Sequence, residues 1–301
     1  MEWRPYIACM QALHLLRGPR ASSPTLCVAV DGGGSGTRLR LFSPGGALIG
    51  EGEAGPSALS FGAEAAWAAI ETAMRRARPE GWTWGEVAMG IGVSGAATPV
   101  WAQAFLAAQP GLALLALDND GLTTVLGAHG GKPGAVVAAG TGTVGMALCA
   151  DGSRQLVSGW GWRFGDEGSG AWLGRAAVAL AQQAMDGRSR AGALARAVWA
   201  RCGEDRATLA AWCRDADATS CASLAPLVFE VDDPAARRLL ALAAKALGQV
   251  ARALDARLPL AMAGSIGQRL AEQLPPAQRR RLVPEQGGPL DGALHLLQFH
   301  L

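Results

Sequence analysis

Short apolar runs that stop at glycine or aspartate alternate along the chain with longer segments in which apolar residues recur every three or four positions. The first pattern is typical of buried strands that end in tight turns, and the second of amphipathic helices. LCVAVD at 26–31, VAMGIGVSG at 87–95 and LALLALDND at 112–120 are predicted strands. Strands that alternate with helices in this way predict an α/β fold.

The segment after the first strand predicts an antiparallel start to a sheet. DGGGSGT at 31–37 is followed by two strand-like segments, RLRLF and ALIGEGEAG. Strand, glycine turn and strand in close succession favour a hairpin over a strand that feeds a helix. The first helix is predicted at 63–78, where apolar residues recur with helical spacing.

A second glycine hairpin repeats this opening later in the chain. GAVVAAGTGTVGMAL has the same order of strand, glycine turn and strand as LCVAVDGGGSGTRLRLF. We interpret the repeat as an internal duplication, which predicts two related domains that face one another. The pattern from 168 to 257 is largely helical, LPLAMAGSIGQRLAEQL returns to strand, glycine loop and helix, and GALHLLQ is a predicted final helix.

Composition and charge narrow the class of protein. Of the 301 residues, 50% are apolar and 17% are charged, and the net charge is +2. This composition predicts a globular protein with a core, and the small net charge gives no reason to expect a nucleic-acid or membrane partner. The uncharged run between Lys132 and Asp151 contains a GTGT turn, so a hairpin fits it better than a membrane-spanning helix.

The apolar segment IACMQALHLL lacks a small-residue cleavage site, so a signal peptide is not favoured. Residues 1–24 are expected to be an ordinary extension or an upstream start, outside the fold. The six cysteines form no CxxC pair, which predicts reduced thiols in a cytosolic protein. The four histidines are scattered, so no transition metal held by protein ligands is expected.

Two glycine loops are candidate phosphate sites. Small residues in DGGGSGT and AAGTGT would let backbone amides turn toward a polyphosphate, and the hydroxyls of Ser35 and Thr37 would add donors. Asp31, at the end of its strand, would face a magnesium ion bound to that phosphate. A plain hairpin turn is the alternative for either loop. Neither loop has the spacing of a P-loop or of a dinucleotide-binding turn.

The end of a strand at LDND, residues 117–120, is a candidate catalytic segment. Polar side chains there are costly to bury unless they are paired or functional. A carboxylate could accept the proton of a substrate hydroxyl during phosphoryl transfer, while the alternative is that Asn119 or Asp120 caps the following helix. We favour a structural role for Asp118 and a catalytic one for Asp120.

Two further loops complete the candidate site. In GWGWRFGDEGSG at 159–170, Glu167 suits the first turn of a helix, whereas Asp166 could bind sugar hydroxyls. AMAGSIG at 261–267 could let an adenine ring lie flat on the backbone, although glycine is common in turns between strand and helix.

Together these motifs resemble those of the N-acetylglucosamine and glucosamine kinases of the BadF/BadG/BcrA/BcrD ATPase family, in the actin-like superfamily. DGGGSGTR is similar to the first phosphate motif, NDG at 119–121 to the catalytic-aspartate motif, GTGT to the second phosphate motif and AGSIG to the adenosine motif. GWGWRFGDEGSGAW is similar to the block that marks amino-sugar kinases and is the most specific match. The resemblance covers nearly the whole chain from about residue 26.

The resemblance implies a role for particular residues. Asp31 would orient water around Mg²⁺, and Asp120 would be the catalytic residue at the sugar 6-hydroxyl. The implied sugar-binding residues are Asp166, Ser94, Asp120 and Gly142. The implied nucleotide-binding residues are Gly33, Gly34, Ser35, Thr37, Thr141, Gly142, Gly264 and Ser265. Ala58 stands where such kinases often have an asparagine that contacts the sugar, so recognition of an acetamido group is left open.

The same resemblance implies an architecture and an activity. We expect two actin-like, ribonuclease H-like domains with a cleft between them, formed by 25–130 with the closing helix 288–301, and by 131–287. The expected activity is ATP- and Mg²⁺-dependent 6-phosphorylation of N-acetylglucosamine, or of glucosamine as the alternative, by a cytoplasmic homodimer. An activator ATPase of a dehydratase or reductase system and a sugar sensor without turnover are the competing classes.

Overall fold

The computed structural model of the chain describes residues 14–18, 24–78 and 80–301. These residues form two units. The first contains the described residues up to Gly134 together with Leu148–Arg154 and Glu285–Leu301, and the second contains Ala135–Ala147 and Gln155–Pro284. Leu148–Arg154 differs from the expected division, since this short hairpin tip groups with the first unit although it lies between two strands of the second sheet.

The first unit is built on a six-stranded sheet with the order β1-β6-β5-β2-β3-β4. Its strands are β1 (His14–Arg17), β2 (Leu26–Gly32), β3 (Thr37–Phe42), β4 (Leu48–Ala54), β5 (Val87–Val93) and β6 (Leu114–Asp118). β2, β3 and β4 form an antiparallel meander, as the sequence predicts, and β5 and β6 continue the sheet parallel to β2.

Strand β1 corrects the expectation that residues 1–24 lie outside the fold. His14–Arg17 pairs with β6 in antiparallel register, with Leu15 opposite Ala116 and Arg17 opposite Leu114. The pairing satisfies backbone groups at an edge of β6 that would otherwise be open. Residues 1–13 and 19–23 of the expected extension lie outside the described residues.

Helices cover both faces of this sheet. They are α1 (Ala63–Ala77), α2 (Pro99–Ala107), α3 (Asp120–Ala128) and, near the end of the chain, α12 (Pro289–Gln298). Val30 of β2 and Ile91 of β5 pack with Ile70 of α1 in one fully buried cluster. Cys27 and Leu297 belong to a smaller cluster that includes α12. Each fully buried aliphatic side chain contributes roughly 1.5–3 kcal/mol to folding.

Glycines let α12 lie directly on the backbone of α3. A Cβ added at Gly292 would be 1.7 Å from the carbonyl oxygen of Thr123, and one at Gly127 would be 1.9 Å from the carbonyl oxygen of Gly288. No side chain larger than hydrogen fits at either position without separating the helices. The closing helix is therefore fixed against the helix that carries Asp120.

The second unit contains a four-stranded sheet with the order β10-β7-β8-β9. Its strands are β7 (Gly134–Ala139), β8 (Thr143–Leu148), β9 (Arg154–Ser158) and β10 (Leu260–Ala263), and β10 pairs with β7 in parallel. The sequence did not predict β9, because RQLVS lacks a continuous apolar run and its residues are only half-buried or exposed.

Among the described residues, six of the remaining helices of the second unit lie within 168–257, the stretch that the sequence predicts to be largely helical, and two short ones follow β10. They are α4 (Gly170–Met185), α5 (Ala193–Cys202), α6 (Arg206–Asp215), α7 (Ala218–Ala222), α8 (Ala225–Glu230), α9 (Pro234–Ala253), α10 (Ser265–Leu270) and α11 (Pro276–Arg279). Among the described residues, none of the helices combines the length and apolar character that a membrane span needs.

The contact between α3 and α12 gives the first prediction. Gly292→Ala should destabilise the chain by about 3 kcal/mol, because the new methyl group overlaps the Thr123 carbonyl oxygen and the helices must move apart. Urea denaturation measures the loss. Gly85→Ala is the matched control, since its Cβ would come no closer than 3.9 Å to the carbonyl oxygen of Gly111, and its effect should stay below about 0.5 kcal/mol. Equal stability of the two variants would contradict the close approach.

Candidate active site

The loop after β2 in the first unit presents an open stretch of backbone. The Gly33 amide donates to the carbonyl oxygen of Gly36 at 3.0 Å, which closes the turn. The carbonyl oxygen of Gly33 accepts from the amides of Ser57 and Ala58 at 3.1 and 3.2 Å. A Cβ at Gly33 or Gly34 would meet no atom within 4 Å. The loop is therefore fixed from behind and open in front, as an anion-binding backbone must be.

This loop borders a cavity of about 420 Å³ that also contains two predicted carboxylates. The lining residues are Asp31, Gly32, Gly33, Ser35, Gly36, Thr37, Arg38, Glu53, Ala54 and Asp120. Arg38 forms an ion pair with Asp31 at 2.6 Å, and its side chain is 58% exposed while that of Asp31 is 16% exposed. The cavity thus combines open amides, carboxylates and one guanidinium.

Asp120 is the first residue of α3 and is not the cap of that helix. The side chain of Asn119 caps α3, with its Oδ1 accepting from the Leu122 amide at 2.8 Å. Asp118 is fully buried and forms an ion pair with Arg154 at 2.9 Å. These contacts agree with the structural role expected for Asp118. Of the two residues considered as caps of this helix, Asn119 is the one that caps it.

Burial raises the pKa of the Asp120 carboxyl. A hydrogen bond from the Gly121 amide, 3.0 Å long, lowers this pKa, and the negative charge of Asp31 raises it. A carboxylate that is partly desolvated and faces a second carboxylate binds a proton more readily than one in water. Asp120 is therefore suited to accept a proton in the cavity.

Thr37, Ser94 and Ala58 lie beside the loop that follows β2. The Thr37 hydroxyl is buried and is hydrogen-bonded to the Gly55 carbonyl oxygen and to the Ser57 hydroxyl, each at 2.7 Å. The amide of Ser94 donates to the Gly32 carbonyl oxygen at 2.9 Å. Ala58 is 5% exposed. The Thr37 hydroxyl thus holds the turn at 55–57 against β3.

The second unit repeats the arrangement at the GTGT loop. The Gly140 amide donates to the Gly142 carbonyl oxygen at 3.0 Å, as Gly33 does to Gly36. The carbonyl oxygens of Gly140 and Thr141 accept from the first amides of α4 at 2.7 and 3.1 Å. Gly264, at the end of β10, lies beside this loop, since its Cβ would be 2.5 Å from the Ala139 carbonyl oxygen. The structure thus brings Thr141, Gly142, Gly264 and the adjacent Ser265 to one edge of the sheet.

Left-handed backbone recurs at the end of β9 and in the loop that joins β9 to α4. Among the described residues, the non-glycine residues with positive φ are Ser158 at 65° and Asp166 at 56°, and both belong to this segment. Gly159, Gly161 and Gly168 are left-handed as well. Left-handed conformations strain residues that carry a Cβ and concentrate at functional sites.

Asp166 ties this loop to the GTGT loop. Its Oδ1 accepts from the Gly161 amide at 3.2 Å, and the Thr143 amide also donates to the carboxylate. Its Oδ2 lies 2.6 Å from the position of a Cβ on Gly142, and the residue is 7% exposed. Burial raises the pKa of Asp166, and both amide hydrogen bonds lower it. A single carboxylate therefore holds two loops in contact.

The rest of the loop presents aromatic side chains to solvent. Trp160 is 85% exposed and Phe164 is 93% exposed. Nη1 of Arg175 on α4 donates to the Trp162 carbonyl oxygen at 2.7 Å and also to that of Arg163. The exposed rings thus project from a backbone that is fixed at its middle and at Asp166.

Most of the chain matches one known protein family. Residues 28–272 match the family described as the BadF/BadG/BcrA/BcrD ATPase family. The chain belongs to this family.

Two members of similar sequence are named as amino-sugar kinases. A glucosamine kinase of Vibrio cholerae is 28% identical over 276 residues, which cover 89% of this chain and 94% of that protein. A solved structure from Chromobacterium violaceum, described as a candidate N-acetylglucosamine kinase, is 44% identical with a TM-score of 0.86, covering 92% of this chain and 100% of the other.

The fold extends beyond the BadF/BadG/BcrA/BcrD family. A ROK family glucokinase from Streptomyces griseus, solved with glucose and AMPPNP, is 15% identical and has a TM-score of 0.55 over 91% of this chain and 98% of the other. At this identity the similarity concerns the fold alone. Together with the Chromobacterium structure it confirms the predicted α/β class with actin-like domains.

The structure adds Arg38 and Glu53 to the predicted residues of the first unit. They face each other across the antiparallel pair of β3 and β4, and both line the cavity of Asp31. The alternation of side chains along a strand could have revealed them, because every second residue after the glycine turn points to the same face. The charge of Arg38 and Glu53 does not by itself indicate that they line this cavity.

The strain at Ser158 gives the second prediction. Its hydroxyl is buried and has no hydrogen-bond partner among the residues that the structure describes. Ser158→Gly should stabilise the chain by about 1 kcal/mol, because it removes both the unpaired hydroxyl and the strained φ. The extra backbone entropy that glycine loses on folding is smaller than this gain. Ser158→Ala removes the hydroxyl alone and should gain less. Denaturant unfolding ranks the variants, and a Ser158→Gly chain less stable than Ser158→Ala would refute the strain.

Proposed function

We propose that the protein is an ATP-dependent kinase that phosphorylates the 6-hydroxyl of an amino sugar, with N-acetylglucosamine as the leading substrate and glucosamine as the alternative. The observation that carries the proposal is the common cavity of Asp120, Asp31 and the open glycine loop. The two relatives named as amino-sugar kinases support the same substrate class.

Asp120 acts as the general base in this proposal. Its carboxylate takes the proton from the 6-hydroxyl while that oxygen attacks the γ-phosphorus of ATP, and the bond from phosphorus to the oxygen of ADP breaks. Phosphoryl transfer asks little covalent chemistry of the protein, so positioning and charge stabilisation contribute most. The raised pKa of Asp120 suits a group that must hold the proton during the transfer.

The donor set around Asp31 fits a magnesium ion. Mg²⁺ prefers carboxylate oxygens and keeps several of its waters, and the mutual repulsion of Asp31 and Asp120 marks a place where a cation is favoured. Asp31 would hold the ion through water. When bound with ATP, the ion would neutralise charge on the phosphates.

We assign nucleotide contacts to residues of each unit separately. In the first unit we assign phosphate contacts to Gly33, Gly34 and Ser35, with Thr37 shaping the loop through its buried hydroxyl. In the second unit we assign the γ-phosphate to Thr141 and Gly142, and adenosine to Gly264 and Ser265. The left-handed φ of 78° at Gly264 supports the last assignment, because a flat approach of the base needs backbone without a side chain.

We assign sugar contacts to Ser94 and Asp120 in the first unit and to Asp166 and Gly142 in the second. Exposed aromatic rings such as Trp160 suit the apolar face of a sugar ring. Ala58 offers no polar side chain, so we leave the acetamido group and the free amine as alternatives. A cytoplasmic homodimer remains part of the proposal, and light scattering on the purified chain measures its mass.

A panel of sugars tests the reaction. Release of ADP, followed by a coupled assay, is expected with an amino sugar and with Mg²⁺, and the product should carry phosphate at the 6-position. Asp120→Asn should reduce kcat at least about 10³-fold while ATP still binds, because the amide cannot take the proton. Background release with every hexose tested, or near-normal turnover by Asp120→Asn, would rule against the proposed base and reaction.

Asp120→Asn should also change how the thermal stability of the chain depends on pH. Since burial raises the folded-state pKa of Asp120, the stability that this group contributes is complete below its unfolded pKa and is lost as pH rises through the folded pKa. Asp120→Asn should therefore have a higher Tm than the wild type at neutral pH. The difference should vanish near pH 4, about the unfolded pKa of an aspartate. Thermal scans across pH distinguish this result from a variant that is merely misfolded.

Asp166 can be tested for sugar binding separately from loop support. Asp166→Asn keeps one oxygen that can accept from the Gly161 amide, so the loops should keep more of their support than in Asp166→Ala. If the carboxylate binds sugar hydroxyls, the sugar KM should rise about tenfold or more, with a small change in the KM for ATP. Asp166→Ala, which also removes the loop contacts, should weaken both substrates. An unchanged sugar KM in Asp166→Asn would restrict Asp166 to loop support.

A further inference from the structure

Arg154 lies outside the cavity of Asp120, yet it contacts the segment that presents this residue. It is the first residue of β9 and follows a tight turn in which the Ser153 amide and hydroxyl both bond to Asp151 Oδ1, at 2.9 and 2.6 Å. The Cys149 amide closes the same turn by donating to the Ser153 carbonyl oxygen at 2.8 Å. The turn therefore presents the guanidinium from a fixed backbone.

The guanidinium reaches a carboxylate that has no access to solvent. Nη1 of Arg154 donates to Oδ1 of Asp118 at 2.9 Å, and the Asp118 side chain is 0% exposed while that of Arg154 is 27% exposed. A buried carboxylate needs a paired cation and hydrogen bonds to be tolerated. The position of Asp118 thus depends on Arg154.

The same Asp118 oxygen orients the residue that caps α3. It accepts from the Asn119 amide at 2.8 Å and from Asn119 Nδ2 at 3.1 Å. With Nδ2 fixed in this way, Asn119 Oδ1 points at the Leu122 amide, 2.8 Å away, and sets where the helix begins. Asp120 is the next residue, so its backbone direction follows from this cap.

We propose that Arg154 is a positioning residue for Asp120, acting through Asp118 and Asn119. The inference rests on the proposed function for the role of Asp120 and adds a residue that no sequence motif indicated. Displacement of a catalytic group by about 1 Å can cost on the order of 100-fold in rate. Loss of the guanidinium should therefore affect the chemical step more than substrate binding.

Steady-state kinetics on the full chain test the proposal. Arg154→Met should lower kcat about 10- to 100-fold, while KM for sugar and for ATP stays within about threefold. Arg154→Lys retains a cation beside Asp118 and should recover most of the lost kcat. Arg75→Met is the matched control, because it removes an exposed ion pair with Glu71 of 2.7 Å in the same unit, and it should match the wild type.

A second variant separates positioning from folding. Asp118→Asn combined with Arg154→Met removes the unpaired buried charge, so its stability should exceed that of Arg154→Met alone. Its kcat should stay low, because the guanidinium that contacts residue 118 is still missing. A kcat within twofold of the wild type for either variant, or no recovery with Arg154→Lys, would overturn the inference.

Amide hydrogen exchange gives a readout that does not require turnover. The Leu122 amide should exchange faster in Arg154→Met than in Arg75→Met, because the Asn119 cap is no longer held. Equal exchange rates would overturn the positioning role. A wild type that phosphorylates no amino sugar would overturn the proposed function instead, and the exchange comparison would still decide whether Arg154 holds the start of α3.

Discussion

Helix α3 can occupy its place only because glycines let its backbone approach its neighbours. Gly292 of α12 lies on the Thr123 carbonyl oxygen, and a Cβ at Gly92 of β5 would be 2.0 Å from the Thr123 hydroxyl. Just before the first turn, the buried Asp118 is ion-paired with Arg154 and accepts hydrogen bonds from Asn119, the cap of the helix. The carboxylate of Asp120 is thus defined by contacts along the whole helix, and a loose fit at any of them would move the proposed base.

In the second unit a single carboxylate stabilises two loops that have few side chains of their own. Two loops rich in glycine must keep one shape while leaving their amides accessible, and the Asp166 carboxylate joins them through the amides of Gly161 and Thr143. Its left-handed φ of 56° shows that the backbone adapts to the contact. Buried hydrogen bonds to a charged acceptor are strong enough to hold such strain. The loop at 159–170 is in this way held in one shape.

The sequence predicted most of the strands and both glycine hairpins, because apolar runs and glycine turns are local signals, and its candidate site residues stay predictions. It did not predict β9, whose residues alternate weakly, or β1, which gains its stability from the open edge of β6. Arg154 was missed for the same reason, since its partner Asp118 is distant in sequence. Sequence spacing predicts neither ion pairs between distant residues nor the hydrogen bond from the Thr37 hydroxyl to the Ser57 hydroxyl.

The place of α12 in the first unit also bears on how the chain is made. Leu297 is fully buried in a cluster with residues of the six-stranded sheet, so that sheet cannot complete its core until the residues of α12 have left the ribosome. The second unit, which lies between these segments in sequence, has all of its strands and helices available earlier. During synthesis the second unit can therefore fold while the sheet of the first unit still exposes the apolar face that α12 covers. A chaperone would be of most use during that interval.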